Sequence, residues 1–203
     1  TVVLLRRQGV AFDLLLCTAG DRGSNEPKWT RESLAATRAQ EARAAADLLG
    51  VERVGYLGYP DGELEPTLTL RAEIARYYRE WQPDTVFTFD PGGFLLNHPD
   101  HRAAGRTALD ALIPSSMALY HAEQLTGGVA RAAVKRVFLW TAATPTVFVE
   151  VTPVYEEKFA ACLAHASQFP EPNRLDWMKG LDGERGKRIN VEYAESFGSA
   201  ATY

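Results

Sequence analysis

The chain has 203 residues, 46% hydrophobic and 24% charged, a balance that fits one globular domain and excludes wholesale disorder. The formal net charge of −4 speaks against nucleic-acid binding by bulk basic charge, and no apolar run approaches the roughly 20 residues that span a bilayer. With only two cysteines, Cys17 and Cys162, a disulfide framework is excluded and a cytoplasmic location is expected. Residues 2–9 read as the end of an amphipathic helix closed by Gly9. A helix that feeds a buried parallel strand normally follows another strand, so a first strand and loop are expected before Thr1. Residues 10–18 read as a strand buried on both faces after Asp13, and residues 19–25 as a glycine-rich loop. Residues 30–49 form a helix by composition, with Gly50 placed to end it. A strand over 54–59 breaks at Pro60-Asp61-Gly62, and a helix over 70–81 stops before Pro83. Residues 85–89 are a further buried strand, followed by the loop Asp90-Pro91-Gly92-Gly93 and a helix over 99–112 that opens with Pro99. Strands are expected at 137–140 and 147–151 and a helix at 152–166. The polar tail from about Asn173 is expected to pack irregularly or stay mobile. The four tryptophans, Trp177 included, are expected in or near the core.

Strands alternating with helices imply crossover connections and hence an α/β, Rossmann-like, mostly parallel sheet flanked by helices. Without a linker, residues 1–203 read as a single domain. Functional loops belong at the C-terminal ends of such strands, here after Thr18, Tyr59 and Phe89.

The most informative segment is Asn97-His98-Pro99-Asp100-His101. Pro99 favours a helix start, which makes His98 the capping residue and puts His101 in the first turn. The i, i+3 spacing sets both rings on one side, with β-carbons about 5–6 Å apart. Imidazole is a common zinc ligand, and a carboxylate beside it fixes its tautomer. The same spacing is equally compatible with a polar helix start carrying solvated histidines, and pattern alone names no third ligand.

Asn97-His98-Pro99-Asp100-His101 followed by Arg102-Ala103-Ala104-Gly105 resembles the second signature of the PIG-L/LmbE-like deacetylases, zinc-dependent enzymes that remove acetyl from N-acetylglucosamine-type amides. Further pieces occur in the same order. They are the loop Thr18-Ala19-Gly20-Asp21-Arg22-Gly23-Ser24, the pair Arg38-Ala39-Gln40-Glu41, the turn Leu57-Gly58-Tyr59-Pro60-Asp61-Gly62, and Val151-Thr152-Pro153 with Lys158 and His165-Ala166-Ser167-Gln168. The family's first signature, Ala-His-Pro-Asp-Asp, has no counterpart between Thr1 and Tyr203. It would fall where the strand pattern expects a missing strand, so a chain shortened at its start is expected.

The resemblance implies an amidohydrolase with one Zn2+ per chain, held by His101 together with His and Asp ligands of the absent segment. It implies His98 as the donor to the developing oxyanion, Asp100 as the carboxylate that orients that ring, and Arg38 and Asp61 as contacts to sugar hydroxyls. The implied partner is a small amino-sugar conjugate, with no nucleic acid or membrane, and a homo-oligomer is compatible with it. A non-catalytic sugar-binding or assembly module is the alternative if the 203 residues are complete. Read without the resemblance, Arg38 and Glu41 are an i, i+3 surface pair and Asp61 is an ordinary turn residue.

Overall fold

The computed structural model describes residues 1–93 and 98–201. It divides into two compact units, Thr1–Asp61 with Phe148–Glu195 and Gly62–Val147 with Ser196–Tyr203.

In the first unit, a short helix α1 (Val2–Arg7) leads into β1 (Asp13–Thr18). This strand pairs in parallel with β2 (Arg53–Tyr59), Leu14 lying opposite Val54 and Leu16 opposite Tyr56. The crossover is α2 (Arg31–Leu49). Thr30 and Ser33 close its start in a reciprocal capping box, and Gly50 ends it at φ 71°, a conformation that costs glycine little. Leu34, Ala42, Ala45 and Ala46 are the buried residues of α2, and α6 (Tyr155–Leu163) packs against this helix. Val151, Val154 and Tyr155 make a core cluster with Val3, Leu4, Val149, Phe159 and Tyr193 around it.

In the second unit, α3 (Leu68–Trp81) is capped by the Thr67 hydroxyl and buries Leu70, Ile74, Ala75 and Tyr78, one stripe at helical spacing. Next come β3 (Thr85–Phe89), α4 (Pro99–Asp110), α5 (Leu112–Ser116) and β4 (Arg136–Trp140). β3 and β4 pair in parallel, with Phe87 opposite Phe138 and the two rings stacked at 5.1 Å. Parallel pairing, with helices packed on the strands, bears out the α/β expectation. β5 (Val147–Glu150) follows, and the last strand, β6 (Ala194–Ala201), runs antiparallel to β4.

The end of the chain differs from the sequence expectation. The polar tail is ordered, as α7 (Asp176–Lys187) and β6. Gly180, Gly183 and Gly186 lower the helix propensity of α7 and disguise it in the sequence. Gly186 is nevertheless required, since a β-carbon there would lie 2.6 Å from the carbonyl oxygens of Val191 and Glu192. β6 lacks β-branched residues, and its place comes from pairing: Ala200 lies opposite Val137 and Gly198 opposite Leu139. The helix expected over 152–166 is shorter because Thr152-Pro153-Val154 turns as a 3-10 helix and α6 ends at Leu163. Trp177 is 60% exposed, against its expected burial, because its position on α7 faces solvent. Among the described residues, no helix is long and apolar enough to cross a membrane.

Candidate active site

The histidine motif sits at the start of α4 in the second unit. Asn97 lies outside the described residues. His98 is the N-cap residue, and its Nδ1 accepts the backbone N–H of Asp100 at 3.3 Å. An Nδ1 that accepts carries no proton, so the neutral ring holds its proton on Nε2. The ring is 42% exposed and within reach of a ligand. His101, one turn on, stacks on Phe89 with ring centroids 4.1 Å apart and planes 5° from parallel. The two histidine rings lie 5.3 Å apart, as the i, i+3 spacing predicts.

Two packing features fix this helix start. Gly105 lies against the end of β3, where a β-carbon would come within 2.2 Å of the Phe89 carbonyl oxygen. Glycine is therefore a steric requirement for α4 to approach the strand that carries Phe89. Asp100 is buried, and its carboxylate accepts the N–H of Gly62 at 2.8 Å and of Leu64 at 3.2 Å. It thus ties the 62–64 loop to the histidine helix. Its Oδ2 is 3.9 Å from His98 Nδ1, beyond hydrogen-bond distance.

Arg38 and Asp61 belong to the first unit. Arg38 donates from Nη1 to the Gly20 carbonyl and from Nη2 to the Gly23 carbonyl, both at 2.7 Å, and from Nε to Ser167 Oγ at 3.4 Å. Glu41 accepts the Ser167 N–H at 2.6 Å and its hydroxyl at 2.7 Å. The two side chains meet at Ser167, and Arg38 reaches on to the Gly20–Gly23 loop. Asp61 is buried, and its N–H donates to Asp21 Oδ1 at 2.9 Å. Asp21 also receives the Arg31 guanidinium at 2.6 Å. Burial raises the Asp21 pKa, but the Asp61 N–H and Arg31 outweigh it and hold the carboxyl below its ordinary value. Burial likewise lowers the His165 pKa; Glu41 opposes this and Arg38 adds to it. Phe89, Gly105 and Ser167 support the site; Gly105 and Ser167 stand in the quoted motifs without an assigned role, and Phe89 is only the end of an apolar strand in the sequence.

Imidazole nitrogen and carboxylate oxygen suit a divalent cation of borderline softness such as zinc. Among the described residues, His98 and Asp100 present ligand atoms within 4.8 Å of each other, and the predicted ligand His101 is not part of that group. Each Asp100 oxygen accepts one N–H and retains lone-pair capacity. The residues present fit such an ion in kind, and three or four ligands would complete it.

The PIG-L family, described as GlcNAc-PI de-N-acetylase, matches residues 1–112. A diacetylchitobiose deacetylase of Thermococcus kodakarensis is 31% identical over 198 residues, covering 96% of this chain and 74% of the relative. A 4-oxalmesaconate hydratase of Pseudomonas putida is 28% identical over 220 residues, covering 98% of this chain and 81% of the relative. The solved structure of an N,N′-diacetylchitobiose deacetylase from Pyrococcus horikoshii, in complex with an inhibitor, has a TM-score of 0.92 and 29% identity. The match covers 98% of this chain and 76% of that one.

Proposed function

We propose that this chain, which belongs to the PIG-L family of GlcNAc-PI de-N-acetylases, hydrolyses the N-acetyl amide of an N-acetylglucosamine-type conjugate and releases acetate and a free amine. The observation that carries the reading is the capped state of His98: Nδ1 is engaged by the Asp100 N–H, which leaves the proton of this half-buried ring on Nε2. An Nε2–H so placed is a donor for the oxygen that gains charge when the amide carbonyl is attacked. The start of α4 adds a favourable partial positive charge for that anion. The same nitrogen can then pass its proton to the departing amine.

Asp100 keeps the ring electrostatically steady while its hydrogen bonds hold the 62–64 loop. His101, oriented by its stack on Phe89, would be the residue that holds zinc. A bound zinc ion supplies carbonyl polarisation and an acidified water. Arg38 and Asp61 hold the sugar end of the substrate. Arg38 does so by shaping the Gly20–Gly23 loop that it binds.

The test is acetate release from N-acetylglucosamine and its glycosides by zinc-loaded protein, with hydration of 4-oxalmesaconate as the control reaction. His98→Ala should keep bound zinc and lower kcat about 100- to 1,000-fold, the usual loss for one oxyanion donor. His101→Ala should lose the metal, as read by elemental analysis. A wild-type protein that releases no acetate from the panel, or a His98→Ala variant that loses the ion while His101→Ala keeps it, overturns the assignment.

A further inference from the structure

The ends of β3 and β4 are held together beyond their ladder. The Asp90 N–H donates to the Trp140 carbonyl at 2.9 Å, and the Thr141 hydroxyl donates to the same oxygen at 2.7 Å. Gly93 packs so closely on Thr141 that a β-carbon there would lie 2.2 Å from the Thr141 carbonyl oxygen. Thr141 itself has φ 56°, a left-handed backbone that a β-branched residue adopts only under strain. Such strain persists where the surroundings enforce it, and it gathers at functional sites. Here it fixes the backbone that carries Trp140.

The parallel register puts Trp140 opposite Phe89 and Phe138 opposite Phe87, so the four rings share one face of the sheet. Phe87 and Phe138 are stacked, and the buried Phe197 meets both edge to face. Trp140 meets Phe89 edge to face at 5.6 Å, and Phe89 carries His101 on its own ring at 4.1 Å. The indole is therefore two ring contacts from the histidine pair. It is 36% exposed, at the C-terminal end of a parallel strand, where α/β sheets bind their ligands. Packing of the core accounts for the phenylalanines of this face. It does not account for the open part of the indole.

We infer that Trp140 is a specificity-determining residue that touches substrate: its open face takes the C–H side of the pyranose that bears the acetamide. The inference rests on the deacetylase reading for its substrate. The chemistry is complementary. Pyranose hydroxyls point outward around the ring and leave C–H bonds on its two sides. Those hydrogens, polarised by neighbouring oxygens, meet the negative face of the indole. Tryptophan presents a large, rigid face while fixing only two side-chain torsions. An acyclic acetamide has no matching surface. Trp140 thus selects a ring, and the histidine pair acts on the amide that the ring carries.

The experiment follows glucosamine release from N-acetylglucosamine by the zinc-loaded wild type, Trp140→Leu and Trp140→Phe. It compares KM for the sugar with the competitive inhibition constant of N-acetylethanolamine, an acyclic acetamide. In Trp140→Leu, which keeps an apolar side chain against Phe89, the sugar KM should rise about tenfold relative to that inhibition constant, the scale of one aromatic contact. Trp140→Phe retains a smaller aromatic face, so its ratio should rise only about two- to threefold. That shift serves as the test if Trp140→Leu fails to fold. A role in packing alone would act through Phe89 and His101. It would lower kcat and zinc content and leave the ratio of the two constants unchanged, a result that overturns the inference while deacetylation stands. If the wild type releases no glucosamine, the deacetylase reading fails, and calorimetry with N-acetylglucosamine decides the role of Trp140 separately. Binding weakened about tenfold in Trp140→Leu upholds it. Equal binding by both proteins, or none at millimolar sugar, ends it.

Discussion

Lys158 is the side chain on which the first unit's buried charge depends. Its ammonium contacts Asp182 Oδ2 at 2.5 Å and Glu195 Oε1 at 2.8 Å, and Arg185 reaches the other Asp182 oxygen at 3.1 Å. Asp182 has no solvent exposure at all. Burial by itself lowers the Lys158 pKa, but the two carboxylates outweigh it and the net direction is upward. Removing one partner of such a group strands the others in a poorly solvating interior. Lys158→Met should therefore lower unfolding free energy by about 3–5 kcal/mol, as measured by urea denaturation near neutral pH. A loss under about 1 kcal/mol would mean that Arg185 alone satisfies Asp182. The sequence could not show this network. Lys158 drew notice only through the family resemblance, and Asp182 sits in a polar stretch where a buried carboxylate looks like any solvated one. The histidine pair was readable because Pro99 fixes the helix start and the helix fixes the ring spacing, both local effects.

At the scale of elements, the candidate site depends on how closely α4 approaches β3. Gly105→Ala places a methyl group 2.2 Å from the Phe89 carbonyl oxygen, and backbone on both sides leaves no flexible side chain to yield. The helix must move, and it carries His98 and His101 with it. Overpacking of this kind costs about 1–3 kcal/mol, and a shift of about 1 Å at the chemistry can cost 100-fold in rate. The variant should show a lower melting temperature and a kcat/KM for acetate release reduced by about two orders of magnitude. Retention of full activity would show that α4 can reseat without displacing its histidines. A second element is fixed in a way that no pattern announces. The Arg79 side chain, 1% exposed, donates to the carbonyls of Pro114, Ser115, Met117, Tyr120 and His121 and to the Gln124 side chain. It satisfies the end of α5 and the turn beyond it from the last turn of α3. Burial accordingly lowers its pKa, with Glu123 opposing. In the sequence Arg79 looks like one more charge on the solvent face of a helix, since its acceptors lie 35 to 45 residues away.

At the scale of the molecule, neither compact unit is a continuous stretch of chain. The first needs Phe148–Glu195 to complete what Thr1–Asp61 begins, and the second takes its last strand from residues beyond Ser196. The strand–helix alternation through residue 112 was legible because hydrophobic runs, caps and breakers are local signals. The final 30 residues were not, because α7 and β6 owe their conformation to distant partners: Lys158 for Asp182, and Val137 and Leu139 for the strand. A polar, glycine-bearing sequence whose order comes from tertiary contacts looks like a mobile tail. The two readings part sharply on truncation. A chain ending at Asn173 loses Leu175, 1% exposed, together with Asp182, Ala194 and Phe197, all buried. It also uncovers the β4 edge that β6 pairs with and leaves Lys158 without either carboxylate. An exposed strand edge and an unpaired buried cation act on different units, so both should be weakened at once. The truncated chain should show no cooperative thermal transition by circular dichroism and should aggregate at concentrations where the full chain stays dispersed. A melting curve within a few degrees of the full chain's would make the last 30 residues the dispensable extension that their composition suggests.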